Sequence, residues 1–241
     1  MRRFFHWLLG LGALVAALVI AWSVYFPRAI LHVRITAVVE TPEGPRSGAS
    51  VVQLGYATEP PIGDRSGVVM GLGAGEAVAV DLGPRGTLYM LLGARGRDGR
   101  PSASPSHALL LIDVFRSALG EDADHRNKDL VRRLQGLRGS ASVPMGKVPF
   151  LVRFRDERDP KTVEAVDPDN LAAAFGEGVR LGSVTMEITD DPVTRGIEKR
   201  LGWVSRSPEN NLDPGGPAVG GPISTAPLKR LLGHGDFRRV M

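Results

Sequence analysis

The chain has 241 residues, of which 43% are hydrophobic, 23% charged and 6% aromatic, with 30 basic and 26 acidic side chains. It has no cysteine, which excludes disulfides, thiolate metal sites and cysteine nucleophiles. The small aromatic fraction argues against a broad stacking platform for bases or sugars. The 30 glycines and 18 prolines indicate many turns and short elements.

The chain begins with an apolar, uncharged run, Phe4–Phe26. As a helix, its 23 residues would extend about 34 Å, enough to cross a bilayer core of about 30 Å. Trp22 and Tyr25 lie near its end, and amphipathic rings of this kind favour membrane interfaces. We therefore expect residues 1–28 to be a single-pass transmembrane anchor that contacts membrane lipid through residues 4–26.

The orientation of this anchor follows from its basic flank. Arg2 and Arg3 precede the run, which predicts a cytoplasmic N-terminus in a bacterial inner membrane and a periplasmic C-terminal domain. A cleaved signal peptide is the alternative, with 1–7 as its basic region and 8–21 as its apolar region. The apolar run continues to Phe26, which favours the anchor. A buried helix of a soluble fold is the third interpretation.

The charge balance bears on possible partners. Removing Arg2 and Arg3 leaves 28 basic and 26 acidic side chains, so no nucleic acid partner is expected. The densest basic group is interpreted as a solvated glycine-rich loop, with an anion or lipid-headgroup contact as the alternative. This group comprises Arg85, Arg95, Arg97 and Arg100.

Strands are predicted directly after the anchor. Apolar and polar residues alternate from Leu31 to Glu40, and a turn leads to a second alternating run, Val51–Tyr56, which completes a predicted hairpin. Pro60 and Pro61 are expected to end this unit. Further strands are predicted at Val68–Met70, Glu76–Leu82, Thr87–Leu92 and Val148–Phe154, with a loop over 93–105.

Helices are predicted in the middle of the chain. Ser106 caps a run from His107 to Leu119 that ends at Gly120. A second helix is expected from Glu121 to Gly139, because acidic residues lie at its start and arginines near its end.

The following segment combines three predictions. Asp167-Pro168 opens a short helix that Gly176 ends. Within Val179–Thr189 the apolar positions change from odd to even numbers, and one extra residue at Gly182–Ser183 would reconcile them as a β-bulge. A last helix is expected from Asp190 to Val204.

The composition changes at Ser205, where prolines and glycines become frequent. Residues 205–241 are therefore predicted to form a flexible Pro/Gly-rich tail with a short basic end. Three alternatives remain for that end: it folds back onto the domain, stays disordered, or acts as a docking peptide. The predicted fold class is α+β, an antiparallel β-rich domain over 29–204 with a central helical insertion, preceded by one transmembrane helix.

No catalytic signature is present, neither a G-x-S-x-G elbow nor an H-E-x-x-H motif. Gly71–Gly75 lacks the Gly-Lys-Ser/Thr ending of a phosphate loop and is interpreted as turn glycines. Ser106 and His107 are adjacent, which is poor geometry for a nucleophile and its base. His234 is expected to lie in a segment too mobile to hold a ligand.

Acidic residues supply the remaining candidates. Asp122, Asp124 and His125 have the residue types of a metal cluster, but acids at a helix start explain them more simply. Carboxylates beside prolines are interpreted as turn and cap residues, with acid–base chemistry as the alternative. These are Asp156, Glu157, Asp159, Asp190 and Asp191. We assign no catalytic, cofactor-binding or metal-binding residue.

Two stretches carry a resemblance to known proteins. Val39–Gly48 and Asp190–Leu201 resemble segments of uncharacterised single-span proteobacterial inner-membrane proteins. The resemblance extends over most of the chain. It implies an inner-membrane protein of a Gram-negative cell, and it offers no functional residue to transfer.

The predicted function is therefore a non-enzymatic, membrane-tethered periplasmic domain that contacts an envelope protein or a ligand, without a cofactor. The alternative is a periplasmic hydrolase whose acids come from separate loops, namely Asp156, Asp159 and Asp190. A buried carboxylate pair in a cleft would favour the hydrolase.

Overall fold

The computed structural model describes residues 2–62, 65–96, 100–102, 106–124, 129–205, 211–213 and 227–240; the side chains of 2–10, 60–62, 65–66 and 106 lie outside this description. The helices are α1 Arg2–Tyr25, α2 Ser106–Val114, α3 Arg116–Leu119, α4 Leu130–Gln135, α5 Ala172–Phe175 and α6 Leu228–Leu231. The longer strands are β1 Arg28–Glu40, β2 Arg46–Ile62, β3 Arg65–Glu76 and β11 Arg180–Thr189. The shorter strands are β4 Val78–Asp81, β5 Thr87–Met90, β6 Ala94–Arg95, β7 Pro101–Ser102, β8 Ser140–Ser142, β9 Leu151–Phe154, β10 Val163–Val166 and β12 Arg238–Arg239.

The fold is α+β with antiparallel sheets, as the sequence predicts. A large sheet has the strand order β12-β3-β2-β1-β11-β8, and a small sheet has the order β10-β9-β5-β4. The two sheets come into close contact at Gly48, where an added Cβ would lie 2.1 Å from the Ala79 carbonyl oxygen. Only glycine fits this contact, because the obstructing atom belongs to the backbone. Within the described residues, which include the side chains of α1 only from Leu11 onwards, no helix is long and apolar enough to cross a membrane.

The predicted hairpin of β1 and β2 is confirmed. Val33 lies opposite Val52, and the odd-numbered side chains of β1 are buried while the even-numbered ones are not. The bulge is confirmed as well: Val38 lies opposite Ser183 but Val39 lies opposite Leu181, which leaves Gly182 as the extra residue. Local alternation therefore fixes the register on both sides of β1.

The prediction that Pro60 and Pro61 end the hairpin is wrong, because β2 continues to Ile62. β1 begins at Arg28, opposite Ala57, and Thr58 donates its N–H to Pro27. Beyond Thr58, β2 has no strand partner on that side among the described residues. Proline has no N–H to donate, and this costs little stability where the strand has no neighbour to accept the hydrogen bond. The pairing with β3 also shifts between Glu59 and Ile62.

The second predicted helix is much shorter than expected, since only α4 forms. Glu121–Asp124 form a turn instead, and 125–128 lie outside the described residues. The Asp122 carboxylate accepts hydrogen bonds from both Nη atoms of Arg133, at 2.6 and 3.0 Å. The acid therefore makes a tertiary ion pair rather than capping a helix.

The last predicted helix is also wrong, because only a single 3₁₀ turn forms, at Ile197–Lys199. Thr194 pairs with Val51 in both directions, its N–H donating to the carbonyl and its Oγ1 accepting the N–H. The N–H groups of Gly196 and Ile197 donate to the Glu76 carboxylate. These tertiary partners occupy the backbone groups that a helix would use.

Two hydrophobic cores cover the two faces of the small sheet. The first lies between the small sheet, the large sheet and helices α2–α4, and includes Leu88 and Met90. The second covers the opposite face, and 211–213 and 227–240 contribute to it through Leu212, Leu232 and Phe237. The described part of the predicted tail thus folds back onto the domain, the first of the three alternatives.

Candidate functional site at the start of the first strand

The junction between α1 and β1 adjoins an apolar surface that is unusually exposed. The described α1 side chains, from Leu11 to Tyr25, are all exposed, and Leu18 and Ile20 each expose more than 60% of their area. Soluble monomers rarely expose contiguous apolar surface of this kind. Only Phe26 and Pro27 separate the end of this helix from β1.

Helix α4 holds this junction in place. The Arg132 guanidinium donates a 2.7 Å hydrogen bond to the Val24 carbonyl, one of the last carbonyls of α1. Its positive charge complements the negative end of the helix dipole. Three residues further on, Gln135 donates its side-chain amide to the Arg28 carbonyl at 2.8 Å. Helix α4 therefore spans both sides of the junction.

Two depressions flank the first residues of β1. The first, here called the polar cleft, has a volume of about 330 Å³ and lies between β1, α4 and the end of β11; Arg28, His32, Gln135, Arg138, Thr189 and Asp190 contribute to its lining. The second, here called the glycine trough, has a volume of about 400 Å³ and lies on β1–β3; its lining includes Ile30, Gly55, Ala57, Val69, Gly71 and Gly73.

The polar cleft carries charges of both signs. Arg138 donates through Nη1 to the carbonyls of Leu137 and Gln135, which fixes its guanidinium against α4. His32 Nδ1 lies 2.7 Å from the Asp191 carbonyl oxygen. Two arginines and one carboxylate, Asp190, thus surround a small concave space.

The glycine trough is lined mostly by apolar residues and glycines, together with Arg28, which it shares with the polar cleft. Ile30 and Val69 expose 68% and 51% of their area at its sides. Between them, a Cβ added to Gly55 or Gly71 would meet nothing within 4 Å, so these glycines widen the depression rather than relieve a clash. Glycines on the outward phase of β2 and β3 are the sequence signal that could have predicted this trough.

The trough borders a part of the β3 edge that has no strand partner among the described residues. Thr58 donates its N–H to Pro27, on the β1 side of β2, and backbone directions alternate along a strand. The residues of β3 opposite Leu54, Tyr56 and Thr58 therefore direct their N–H and C=O groups away from β2. These residues are Leu72, Met70 and Val68, and within the described residues those groups have no backbone hydrogen-bond partner.

A further depression, of about 580 Å³ beside α2 and the turn after Gly120, contains the metal candidates Asp122 and Asp124. Asp122 is paired with Arg133, and the neighbouring Asp113 is paired with Arg116 and Lys147. The structure brings together no group of three metal-ligating side chains within its described part. His125 lies outside that part.

The hydrolase candidates are not brought together. Asp156 and Asp159 lie in the turn between β9 and β10, where they accept the N–H groups of Arg158 and Lys161. Asp190 follows β11 in the other sheet. All three carboxylates are exposed, so none forms a buried pair in a cleft.

The remaining candidates have structural roles. His107 is buried with Nδ1 2.8 Å from the Leu92 carbonyl oxygen, and burial lowers its pKa to about 4. Gly71–Gly75 belongs to strand β3 rather than to a turn. His234 is buried against Trp203, so the expectation that it lies in a mobile segment is wrong.

The basic loop group is also dispersed. Arg85 pairs with Glu43 and also donates to the Phe175 carbonyl. The hydrogen bond from Arg85 lowers the pKa of the Glu43 carboxyl to about 2. Arg95 faces Asp167 at 3.6 Å. Arg97 lies outside the described residues.

Sequence reasoning missed two buried carboxylates, Glu76 and Asp213. Lys161, Lys229 and Arg230 surround Asp213, and its bond from Lys229 contributes most to lowering its pKa. Both carboxylates attach the C-terminal residues to the domain. No protein-family model, curated protein or solved structure matches this chain, so any functional conclusion depends on the geometry described above.

Proposed function

We propose that the chain is a membrane-anchored binding protein, with α1 in the bacterial inner membrane and the β-rich domain in the periplasm. The observation that carries the proposal is the exposure of every described α1 side chain within an uncharged 23-residue run. Lipid can surround such a helix without burying unpaired polar groups, because the backbone N–H and C=O groups are hydrogen-bonded within the helix. The arginines before the run favour a cytoplasmic N-terminus.

The domain acts by binding rather than by catalysis. Its partner is an extended segment of another envelope protein, which adds to the free edge of β3 beside the glycine trough. Backbone N–H and C=O groups on Val68, Met70 and Leu72 are complementary to such a strand. Ser66–Gly75 contains no charged residue, so the edge lacks the usual protection against strand addition.

The anchor is tested by membrane extraction and topology. The full chain is expected to stay in the membrane fraction after alkaline carbonate treatment, with a C-terminal phosphatase reporter active in the periplasm. The reporter belongs at the C-terminal end, because residues 227–240 pack into the second core. Release into the soluble fraction without processing would refute the anchor.

The edge is tested with a photo-crosslinking residue at Val69, using Met145, which is exposed elsewhere, as the control position. A reproducible adduct is expected only at Val69. Met70→Pro should abolish it, because proline removes an outward-facing donor without breaking a bond to β2. An adduct that survives Met70→Pro in a folded protein would contradict strand addition.

A further inference from the structure

The polar cleft lies where the proposed anchor would leave the bilayer. Arg28 is the third residue after Tyr25, the end of α1, so their Cα atoms are separated by at most about 11 Å. The headgroup layer on each side of a bilayer is about 5–8 Å thick. With α1 embedded, Arg28 and the cleft behind it therefore lie at headgroup level.

Arg28 is available for a ligand. Within the described residues, its guanidinium makes no hydrogen bond or ion pair, and only its backbone carbonyl is used, by Gln135. The second cation, Arg138, is held in place through Nη1 by two backbone carbonyls. Guanidinium groups suit a phosphate well, because their planar donors match its oxygens.

The adjacent carboxylates Asp190 and Asp191 differ in their contacts. Asp191 is engaged by Arg34, whereas Asp190 lines the cleft with Arg28 and Arg138. A purely anionic headgroup would face repulsion from Asp190. A headgroup with both a phosphate and a primary amine has the complementary charges. The cleft volume of about 330 Å³ lies at the low end for small-molecule sites, which suits a headgroup rather than a whole lipid.

We propose that the polar cleft binds the phosphoethanolamine headgroup of a zwitterionic phospholipid, with the phosphate on Arg28 and Arg138 and the ammonium on Asp190. This inference rests on the proposed membrane anchor. It gives the domain a lipid contact that sets its height and orientation above the bilayer. The strand edge on β3 is then presented at a constant distance from the membrane.

Retention of lipid by the full chain in mild detergent, measured by native mass spectrometry, tests the proposal. Phosphatidylethanolamine, phosphatidylglycerol and phosphatidylcholine are added separately at equal concentration. Wild-type protein is expected to retain phosphatidylethanolamine at least fivefold better than either of the others. Equal retention of phosphatidylethanolamine and phosphatidylglycerol would overturn the proposal.

Three variants sharpen the test. The double variant Arg28→Gln/Arg138→Gln should lower phosphatidylethanolamine retention about tenfold, while Arg155→Gln, an exposed arginine after β9, should leave it unchanged. Asp190→Asn should reverse the preference towards phosphatidylglycerol, because the repelling carboxylate is gone. An unchanged lipid ratio in Asp190→Asn, with an unaltered circular dichroism spectrum, would contradict the assignment of the amine.

The soluble headgroup glycerophosphoethanolamine separates this inference from the anchor. Arginine-dependent binding of that headgroup by a chain that carbonate releases would refute the anchor but retain the cleft as a phosphate–amine site. A chain that resists carbonate yet binds neither lipid nor headgroup would refute the cleft and retain the anchor.

Discussion

The two faces of the small sheet are built in contrasting ways. The inner face carries aliphatic side chains such as Leu88 and Met90 and packs against strands whose alternation is regular. The outer face carries Tyr89 and Phe154 and is covered by residues drawn from the end of the chain. Tyr89 and Leu88 are neighbours in sequence but belong to different cores, as the two-residue period of a strand requires.

The difference teaches how each core obtains its specificity. The first core follows the alternation of buried and outward positions along its strands, a pattern that is contained in short stretches of the sequence. The second core contains aromatic contacts of Phe237, which lies edge-to-face with Trp203 at 5.2 Å and tilted against Phe154 at 5.6 Å between ring centroids. Trp203 also donates its indole N–H to the Glu157 carbonyl at 2.9 Å. The second core is therefore complete only when the C-terminal residues are in place.

The largest expected effect comes from removing the aromatic ring that closes the second core. Phe237 is fully buried, so Phe237→Ala should lower the free energy of unfolding by about 3–5 kcal/mol, comparable with about 2–5 kcal/mol for Ile35→Ala in the first core. Urea unfolding of the full chain in mild detergent measures both. Val240→Ala, at an exposed position, is the control, with an expected change within about 0.5 kcal/mol. An unchanged free energy of unfolding in Phe237→Ala would support the flexible tail that the composition predicts.

A pH-dependent effect is expected at His107, which packs in the first core and binds Leu92, whose N–H in turn donates to the Asp236 carbonyl. Burial lowers the pKa of His107 from 6.5 to about 4. Between pH 6.5 and about pH 4, His107 is protonated in the unfolded chain but stays neutral in the folded chain. Stability is therefore greatest above about pH 6.5 and falls as the pH drops towards 4.

The loss that this histidine causes between pH 7.5 and pH 5 should be about 2 kcal/mol. His107→Gln retains a donor for the Leu92 carbonyl but removes the titration. The difference in unfolding free energy between the two pH values should therefore shrink by about 2 kcal/mol in the variant, as urea titrations would show. Identical pH dependence in both proteins would mean that His107 is not buried as a neutral ring.

The sequence predicts the first core well because its signals are local. Alternation from Leu31 to Glu40 gives the buried face of β1, and the change of phase in Val179–Thr189 gives the bulge at Gly182. The second core is not predictable in this way. Phe237, Leu232 and Trp203 follow no shared period and come from segments far apart in the sequence. Nearby, Glu76 accepts the N–H of Ile197 and Asp213 pairs with Lys229.

The candidate site illustrates the same limit. The apolar run and its flanking arginines are visible in the sequence, and so is the outward phase of Gly55 and Gly71. The polar cleft is not visible in the sequence, because its charged residues come from three distant segments that the fold brings together. These residues are Arg28, Arg138 and Asp190. Acidic residues beside prolines are interpreted from the sequence as turn and cap residues, and Asp156 and Asp159 do accept backbone N–H groups in a turn.

The smallest expected effect concerns the ion pair that joins the C-terminal strand to the domain. Arg238 Nε lies 3.5 Å from the buried Glu76 carboxylate, and Nη1 donates to Ser205 Oγ at 3.3 Å. Glu76 keeps the N–H groups of Gly196 and Ile197 as partners when Arg238 is replaced, so it is not left unsatisfied. Arg238→Gln should therefore cost only about 1 kcal/mol of unfolding free energy, measured by urea titration. The exposed neighbour, in the control Arg239→Gln, should cost less. A loss as large as that of Phe237→Ala would show that the charge, rather than the aromatic ring, holds the C-terminal residues on the second core.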